Sequence, residues 1–547
     1  GIIVWVVRQK QNDSADYFLG GRDATWLAIG ASIFASNIGS EHLIGLAGAG
    51  ASSGMAMAHW EIQGWMILIL GWVFVPFYTR SMVYTMPEFL ERRYNPQSRT
   101  ILSVISLVSY VLTKVAVTVY AGGLVFQQVF GIKELWGIDF FWIAAIGLVV
   151  LTALYTIFGG MKSVLYTSVL QTPILLLGSL IILVLGFKEL GGWDEMMRVC
   201  GAVTVNDYGD TMTNLIRSND DANFPWLGAL IGSAIIGFWY WCTDQFIVQR
   251  VLSGKNEMEA RRGTIFGAYL KLLPVFLFLI PGMIAFALHQ KYIGAGGEGF
   301  LPMLANGTAN ADAAFPTLVA KLLPAGVKGL VVCGILAALM SSLASLFNSS
   351  AMLFTIDFYK RFKPETPEKK LVGIGQIATI VIVVLGILWI PIMRSVGDVL
   401  YTYLQDVQSV LAPGIAAAFL LGICWKRTSA QGGMWGLISG MVIGLTRLGA
   451  KVYYSNAGEV ADSTFKYLFY DMNWLFFCGW MFLFCIIVVI VVSLATEAPT
   501  AEKIQGLVFG TATKEQKAAT RASWNHWDII HTVIILAITA AFYWYFW

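Results

Sequence analysis

The chain has 547 residues, of which 57% are hydrophobic and only 13% are charged, and its mean hydropathy is +0.68. Soluble domains carry about 25% charged residues, so this composition excludes a soluble globular protein and predicts an all-α integral membrane protein. The formal net charge is +3, and Lys and Arg lie in short connectors, which argues against a nucleic-acid-binding protein.

The chain opens on an apolar run from Gly1 to Val7, with Arg8 and Lys10 directly behind it. This run is too short to span about 30 Å of hydrocarbon. We interpret it as the end of an N-terminal helix rather than as a signal peptide, and residues 1–24 as that helix end with a cytoplasmic linker.

Roughly thirteen apolar runs of about 18 residues or more follow, each long enough to cross a membrane as a helix. A complete N-terminal helix would bring the number to about fourteen. The runs lie at about 25–50, 57–79, 99–130, 138–157, 163–187, 226–249, 265–288, 327–359, 371–393, 397–424, 433–450, 473–495 and 527–547.

Basic residues are concentrated in alternate connectors, and the positive-inside rule places those connectors in the cytoplasm. The C-terminus then lies outside, and the connector 188–225 is an extracellular loop. These features predict a multi-pass protein of the cell membrane, and the short outer loops favour a bacterial inner membrane. The basic connectors hold Arg80 to Arg99, Arg250 to Arg262, Lys360 to Lys370, Lys426 with Arg427, and Lys503 to Arg521.

Two apolar runs contain residues that weaken a helix at corresponding places in successive sets of five runs. The first run holds polar residues from Ala35 to His42, and the sixth holds Gly232 and Gly237 ahead of an aromatic cluster. A matched pair of broken helices is typical of transporters with inverted repeats around a site at the membrane midplane. Glycine can instead serve close helix packing, which is the alternative for each glycine taken alone.

Five ionisable residues lie inside apolar runs, where a charge costs about 2.5–3.5 kcal/mol on insertion scales. They are Glu41, Glu61, Lys114, Asp244 and Lys271. One acceptor and one donor facing a cavity suit neighbouring hydroxyls, which favours Glu61 and Lys271 as sugar ligands. For Lys114 and Asp244 the sequence leaves open a buried pair that only fixes helix orientation.

Aromatic and hydroxyl side chains add two further hypotheses. The cluster Trp239-Tyr240-Trp241 can stack on the C–H face of a pyranose, although such clusters also form interfacial belts. Ser341 and Ser342 can offer hydroxyls to a sodium ion that also binds carbonyls of the first broken helix. Adjacent serines in a membrane helix otherwise serve packing.

The sequence gives no indication of catalysis or of nucleotide binding. The sequence has no HExxH motif and no Walker loop, and its five histidines have no metal-ligand spacing. The six cysteines form no CxxC pair. We therefore expect a transporter that is neither an enzyme nor an ATPase.

Four longer motifs resemble the sodium/glucose cotransporter branch of the sodium:solute symporter family, and the resemblance runs from about Tyr17 to Arg447. It implies a LeuT-type fold with inverted five-helix repeats at 25–187 and 226–424, and peripheral C-terminal helices at 425–547. The motifs are GASIFASNIGS from Gly30, MPEFL from Met86, GGMKSV from Gly159 and WYWCTDQFIVQR from Trp239.

The same resemblance implies which residues bind the two substrates. Its sugar contacts fall on Asn37, His42, Glu61, Lys271, Trp241 and Gln405, with Tyr240 as an aromatic lid on the inner side. Its sodium site falls on the carbonyls of Ala35, Ile38 and Ala338 and the hydroxyls of Ser341 and Ser342.

Two positions depart from the family pattern. Ser168 stands where two-sodium relatives carry an aspartate, which predicts one sodium per sugar. Gly237 stands where relatives carry Thr or Asn, which predicts a sugar hydrogen bond that is lost or replaced by water.

The function implied is symport of sodium with a hexose, glucose or galactose, by alternating access. The alternatives are a symporter for another solute, such as myo-inositol, proline or sialic acid, and a sodium-dependent sugar sensor or leak channel.

Overall fold

The computed structural model describes residues 14–39, 41–304, 307–393, 400–456 and 461–547. The predicted end of an N-terminal helix falls largely on residues 1–13 and so lies outside the described residues. Each of the thirteen predicted apolar runs coincides with helical structure.

The helices of the first part of the chain, with short π-helical stretches between α-helices, cover the runs up to the long outer connector. They are Ser14–Leu19, Trp26–Asn37, Glu41–Leu46, Ala47–Ser53, Ala58–Glu61, Gly64–Ile69, Leu70–Phe74, Val75–Ser81, Met86–Arg93, Pro96–Ser109, Tyr110–Val115, Ala116–Phe130, Phe140–Leu190 and Trp193–Gly201. Single 3-10 turns lie at Gly20–Arg22, Gly54–Met57 and, later in the chain, Ala311–Ala313.

The second part repeats this pattern and is followed by the C-terminal helices. Its helices are Trp226–Gly237, Phe238–Thr243, Gln245–Leu252, Glu257–Lys271, Val275–Leu279, Ile280–Gly294, Ala314–Leu322, Ala325–Met352, Leu353–Tyr359, Lys360–Phe362, Glu368–Met393 and Leu400–Cys424. The C-terminal helices are Ala430–Asn456, Thr464–Lys466, Tyr467–Asp471, Trp474–Ala495, Ala501–Ile504, Lys514–Ala522 and His526–Tyr545.

The departures from a purely helical chain are small. Strands Glu134–Leu135 and Ile138–Asp139 form one antiparallel pair in the connector before the helix Phe140–Leu190. Within the described ranges, nine helices are long and apolar enough to cross a membrane, and the broken or kinked runs supply shorter helices. Gly160, with φ 53° and ψ −154°, kinks the helix Phe140–Leu190 between the two runs predicted there.

The first predicted break is present where the sequence places it. The helix Trp26–Asn37 ends at Ile38, whose ψ of 92° is extended, and helical structure resumes at Glu41. The Gly39 N–H, which in a continued helix would donate to the Ala35 carbonyl, donates to the Asn37 carbonyl at 3.0 Å. The break therefore turns the backbone away from helical hydrogen bonding.

The second break lies later than the sequence predicts. Helical structure continues past Gly232 and Gly237, becomes π-helical over Phe238–Thr243, and ends at Asp244, whose φ of −76° and ψ of 127° are extended. The location predicted at the glycines is therefore wrong by about two turns. The aromatic cluster thus lies within the wider π-helical turn, and the extended backbone begins only after it.

A third interruption was not predicted. The helix Ala58–Glu61 ends at Ile62 and Gln63, whose ψ angles are 22° and 24°, and the next helix begins at Gly64. Such bridge-region backbone is frequent at functional sites.

Close packing brings the first broken helix against the helix Glu257–Lys271. A Cβ placed on Gly30 would lie 2.8 Å from the Gly263 carbonyl oxygen and 3.1 Å from the Gly267 nitrogen. A side chain at Gly30 would therefore force the two helices apart. This contact positions Asn37 beside Lys271, which lies in the same helix as Gly263.

Candidate functional site

Residues of the three interrupted helices line one cavity of about 40 Å³. All seven residues predicted to contact a sugar line this cavity, although they come from five segments of the chain. They are Asn37, His42, Glu61, Tyr240, Trp241, Lys271 and Gln405.

A buried charge pair forms the polar centre of the cavity. The Lys271 Nζ lies 2.6 Å from the Glu61 Oε2 and donates to the Asn37 Oδ1 at 3.2 Å. Glu61 and Lys271 are only 1% and 3% exposed. The His42 Nε2 lies 3.2 Å from the same Glu61 oxygen. Donors and acceptors therefore alternate along one wall of the cavity, as recognition of neighbouring hydroxyls requires.

Tyr240, on the second broken helix, is the last residue in this series of polar contacts. Its hydroxyl accepts from the Asn37 Nδ2 at 3.1 Å, and its ring meets the Trp241 ring edge-on with centroids 4.9 Å apart. The Lys271 ammonium lies 5.3 Å from the Trp241 ring centroid. The aromatic pair thus joins the polar centre to a flat apolar surface, which a ring with C–H faces would fit.

Two polar atoms on the cavity lining lack a partner among the residues that the structure describes. They are the Gln405 Oε1, an acceptor, and the Trp60 Nε1, a donor. Buried polar atoms are normally hydrogen-bonded, so these two mark places where a bound solute or water would supply the partner.

The sequence missed several cavity residues. Glu41 lay in the predicted break but received no role as a solute ligand. Trp60 was marked only by its position beside Glu61. The remaining missed residues carry no sequence signal that separates them from ordinary packing residues. They are Gln63, Ile236, Leu404 and Gln408.

The side chain of Gln63 lies beside Gly237. A Cβ placed on Gly237 would lie 2.4 Å from the Gln63 Oε1, so the Gln63 carboxamide occupies the space beside Gly237. Whether a solute hydrogen bond is lost at Gly237 stays a prediction, and the neighbouring Gln63 is a contact that the sequence did not indicate.

Lys114 and Asp244 form the buried pair that the sequence left open. Their side chains are 2.5 Å apart and only 7% and 1% exposed. Asp244 also accepts from the Tyr110 hydroxyl, and the Lys114 ammonium lies 4.6 Å from the Tyr240 ring centroid. The pair therefore supports the aromatic wall of the cavity, formed by Tyr240 and Trp241, through the contact of Lys114 with Tyr240. Its geometry favours the role of orienting helices.

The helix Ala325–Met352, which carries three of the predicted cation ligands, packs against the first break, which carries the other two. The Ser342 hydroxyl donates to the Ser36 carbonyl at 3.0 Å, and a Cβ on Gly39 would lie 2.8 Å from the Ser342 Oγ. Ala35, Ile38, Ala338, Ser341 and Ser342 are all buried. Oxygen ligands in a buried site of this kind suit a hard cation such as sodium.

Comparison with known proteins decides the family. A family model described as the sodium:solute symporter family matches residues 17–440. The chain belongs to this family. Human sodium/myo-inositol cotransporter 2 is 36% identical over 518 residues, which cover 92% of this chain and 76% of that protein. The dog sodium/myo-inositol cotransporter is 37% identical over 525 residues, which cover 92% of this chain and 72% of that protein.

Solved structures agree on the fold of this symporter. A Na⁺-coupled sialic acid symporter in a substrate-bound outward-open state superposes with a TM-score of 0.71 at 22% identity, covering 91% of this chain and 96% of that one. MhsT in complex with L-phenylalanine superposes with a TM-score of 0.50 at 12% identity, covering 86% and 99%. The predicted LeuT-type fold is confirmed, and so is sodium as the coupling ion.

One polar contact of the symporter bears on the number of cations. The Ser168 hydroxyl donates to the Val164 carbonyl at 2.6 Å and lies 3.2 Å from the Ser341 hydroxyl. Position 168 thus contacts the predicted cation site with a neutral group, where an aspartate would bring a negative charge.

Proposed function

We propose that this symporter couples inward sodium flow to the uptake of a cyclic polyhydroxylated solute, with myo-inositol as the first candidate and a hexose as the second. The names of the human and dog relatives support myo-inositol. The observation that carries the proposal is the alternation of donors and acceptors from Lys271 through Glu61 and Asn37 to Tyr240. A ring bearing several hydroxyls can satisfy both kinds of group at once.

The charges around the cavity favour a neutral solute. Two carboxylates, Glu41 and Glu61, line it together with one ammonium, that of Lys271. An anionic solute such as sialic acid would meet this excess of negative charge, and its own carboxylate would have to displace Glu61 from Lys271. A neutral polyol has no carboxylate that would have to displace Glu61 from Lys271.

The proposed cycle is alternating access between the repeats at 25–187 and 226–424. Sodium, held by the broken helix and Ser341 with Ser342, stabilises the outward-open state and completes the solute cavity. Solute binding closes the outer side, Tyr240 then moves, and both substrates leave inward. The membrane potential contributes about 2.3 kcal/mol per charge per 100 mV. Coupling requires that each substrate tighten the other.

Counterflow in proteoliposomes tests the proposal. Vesicles loaded with unlabelled solute should accumulate labelled myo-inositol only when sodium is present on both sides. Glucose and galactose, assayed in parallel, decide between the two candidate solute classes. Binding without accumulation would instead identify a sensor, and accumulation that ignores sodium would contradict the coupling.

Hexose transport stays the second candidate because of the aromatic pair. The faces of Tyr240 and Trp241 offer a surface to the C–H face of a pyranose as well as to that of a cyclitol. A preference for glucose or galactose in the counterflow assay would favour this candidate.

We expect Ser342→Ala to raise the sodium concentration for half-maximal transport by about tenfold or more, since contacts to a charged group contribute about 1.5–3 kcal/mol. Sodium titration of solute uptake measures this. Ser349→Ala is the matched control, because Ser349 lies two turns further along the same helix and donates to Gln249 at 2.7 Å. An unchanged sodium dependence in Ser342→Ala would remove the residue from the proposed site.

We expect one positive charge to enter with each solute molecule, because Ser168 offers no carboxylate beside Ser341. Simultaneous measurement of current and labelled solute uptake gives this ratio. A ratio near two would contradict the single sodium site.

A further inference from the structure

Gln63 and Gly237 both line the cavity and pack directly against each other, although they come from distant segments of the chain. A Cβ placed on Gly237 would lie 2.4, 2.8 and 3.0 Å from the Oε1, Cδ and Nε2 atoms of Gln63. The whole carboxamide of Gln63 therefore lies against the bare Cα of Gly237. Any side chain at position 237 would displace it from this conformation.

The backbone at Gly237 does not itself require glycine. Its φ of −62° and ψ of −41° are ordinary α-helical values that every residue but proline adopts readily. Glycine in a helix interior costs about 1 kcal/mol relative to alanine. The space that it leaves for Gln63 is therefore what glycine contributes at this position.

Gln63 is held in place from two directions. Its backbone lies in the interruption between two helices, with φ −83° and ψ 24°. Its Nε2 donates to the Ser233 carbonyl at 2.7 Å, and its side chain is buried. One amide hydrogen is used by this bond, so the second hydrogen and the lone pairs of Oε1 are left for the cavity.

We infer that Gln63 is a solute-contacting, specificity-determining residue, and that Gly237 is required to admit its carboxamide. This inference rests on the proposed function. The carboxamide offers a donor and an acceptor side by side, which fits two neighbouring hydroxyls of a cyclic polyol. It extends the polar wall of Glu61, two residues earlier, towards the helix Trp226–Gly237.

The test measures solute affinity in the purified full-length symporter, with myo-inositol, scyllo-inositol and glucose as ligands at saturating sodium. Gln63→Leu keeps the bulk and removes the polar atoms. We expect its affinity for the preferred solute to fall about twofold to tenfold for each hydrogen bond that is lost. The ratio of affinities among the three solutes should also change, whereas a purely structural role would weaken all three alike.

Gly237→Ala should have a similar effect, because its methyl group displaces the carboxamide. The two positions should be coupled, so that Gly237→Ala has little further effect once Gln63→Ala has removed the side chain. Gly232→Ala is the matched control on the same helix, since a Cβ there meets Leu475 of the C-terminal helices. Sodium-induced thermal stabilisation of each variant confirms that it is folded.

Three outcomes contradict the inference. If the wild-type symporter binds these solutes and Gln63→Leu binds them with unchanged affinity ratios, Gln63 does not select the solute. Additive effects of Gly237→Ala and Gln63→Ala would likewise remove the steric link between them. If the wild-type protein binds none of the solutes, the proposed function fails together with the inference.

Discussion

Glu61→Gln should reduce solute affinity by about two to three orders of magnitude and lower the thermal stability of the symporter. The substitution keeps the shape of the side chain but leaves the Lys271 ammonium, only 3% exposed, without its counter-charge at 2.6 Å. Breaking a buried ion pair by removing one partner costs about 3–5 kcal/mol. Solute binding by isothermal titration and thermal unfolding in detergent measure the two effects.

Removing both charges separates stability from recognition. In Glu61→Gln combined with Lys271→Met, no buried charge is left unpaired, so thermal stability should recover to near the wild-type value. Solute affinity should stay low, because the polar wall is gone. If Glu61→Gln alone bound solute like the wild-type symporter, the pair would be structural and the proposed recognition would be wrong.

Asp244→Asn should produce the second-largest loss, and mainly in turnover. The carboxamide can still cap the helix Gln245–Leu252, as the carboxylate does through the Phe246 N–H, so the substitution isolates the charge. Lys114 would then be buried against Tyr240 without a counter-ion, again at a cost of about 3–5 kcal/mol. Initial rates of sodium-driven uptake, compared with solute affinity, report this effect.

Solute affinity should change less in Asp244→Asn than in Glu61→Gln, since Asp244 acts on the cavity through Tyr240. Lys114→Met combined with Asp244→Asn should recover much of the stability, because neither charge is left alone. If Asp244→Asn transported solute at the wild-type rate, the Lys114–Asp244 pair would not be needed to support the aromatic wall of Tyr240 and Trp241.

The sequence predicted the membrane runs and the first break because both depend on local composition. Polar residues from Ser36 to His42 interrupt an apolar run, and the structure ends the helix there. The seven residues predicted to contact a sugar also line one cavity, but the family resemblance pointed to most of them. Of the seven, residue chemistry alone favoured Glu61, Lys271 and the aromatic cluster.

What the sequence could not predict depends on contacts between distant segments. Gln63 is a cavity residue only because Gly237, 174 positions later, leaves room for it. The second break was misplaced because glycine weakens a helix in isolation, whereas Gly232 packs on Leu475 and stays helical. Tertiary packing overrode local propensity in both cases.

The π-helical stretch Phe238–Thr243 also affects which side chains of its helix line the cavity. In a regular α-helix, positions 237, 240, 241 and 244 form one stripe, because they are spaced i, i+3, i+4 and i+7. A π-turn holds an extra residue and rotates everything beyond it by about 100°. Tyr240 and Trp241 face the cavity, while Asp244 pairs with Lys114 instead. An uninterrupted helix would place Asp244 on the stripe of Tyr240 and Trp241, as a third carboxylate beside those of Glu41 and Glu61. The π-turn and the extended backbone at Asp244 instead keep this carboxylate paired with Lys114 and off the cavity lining.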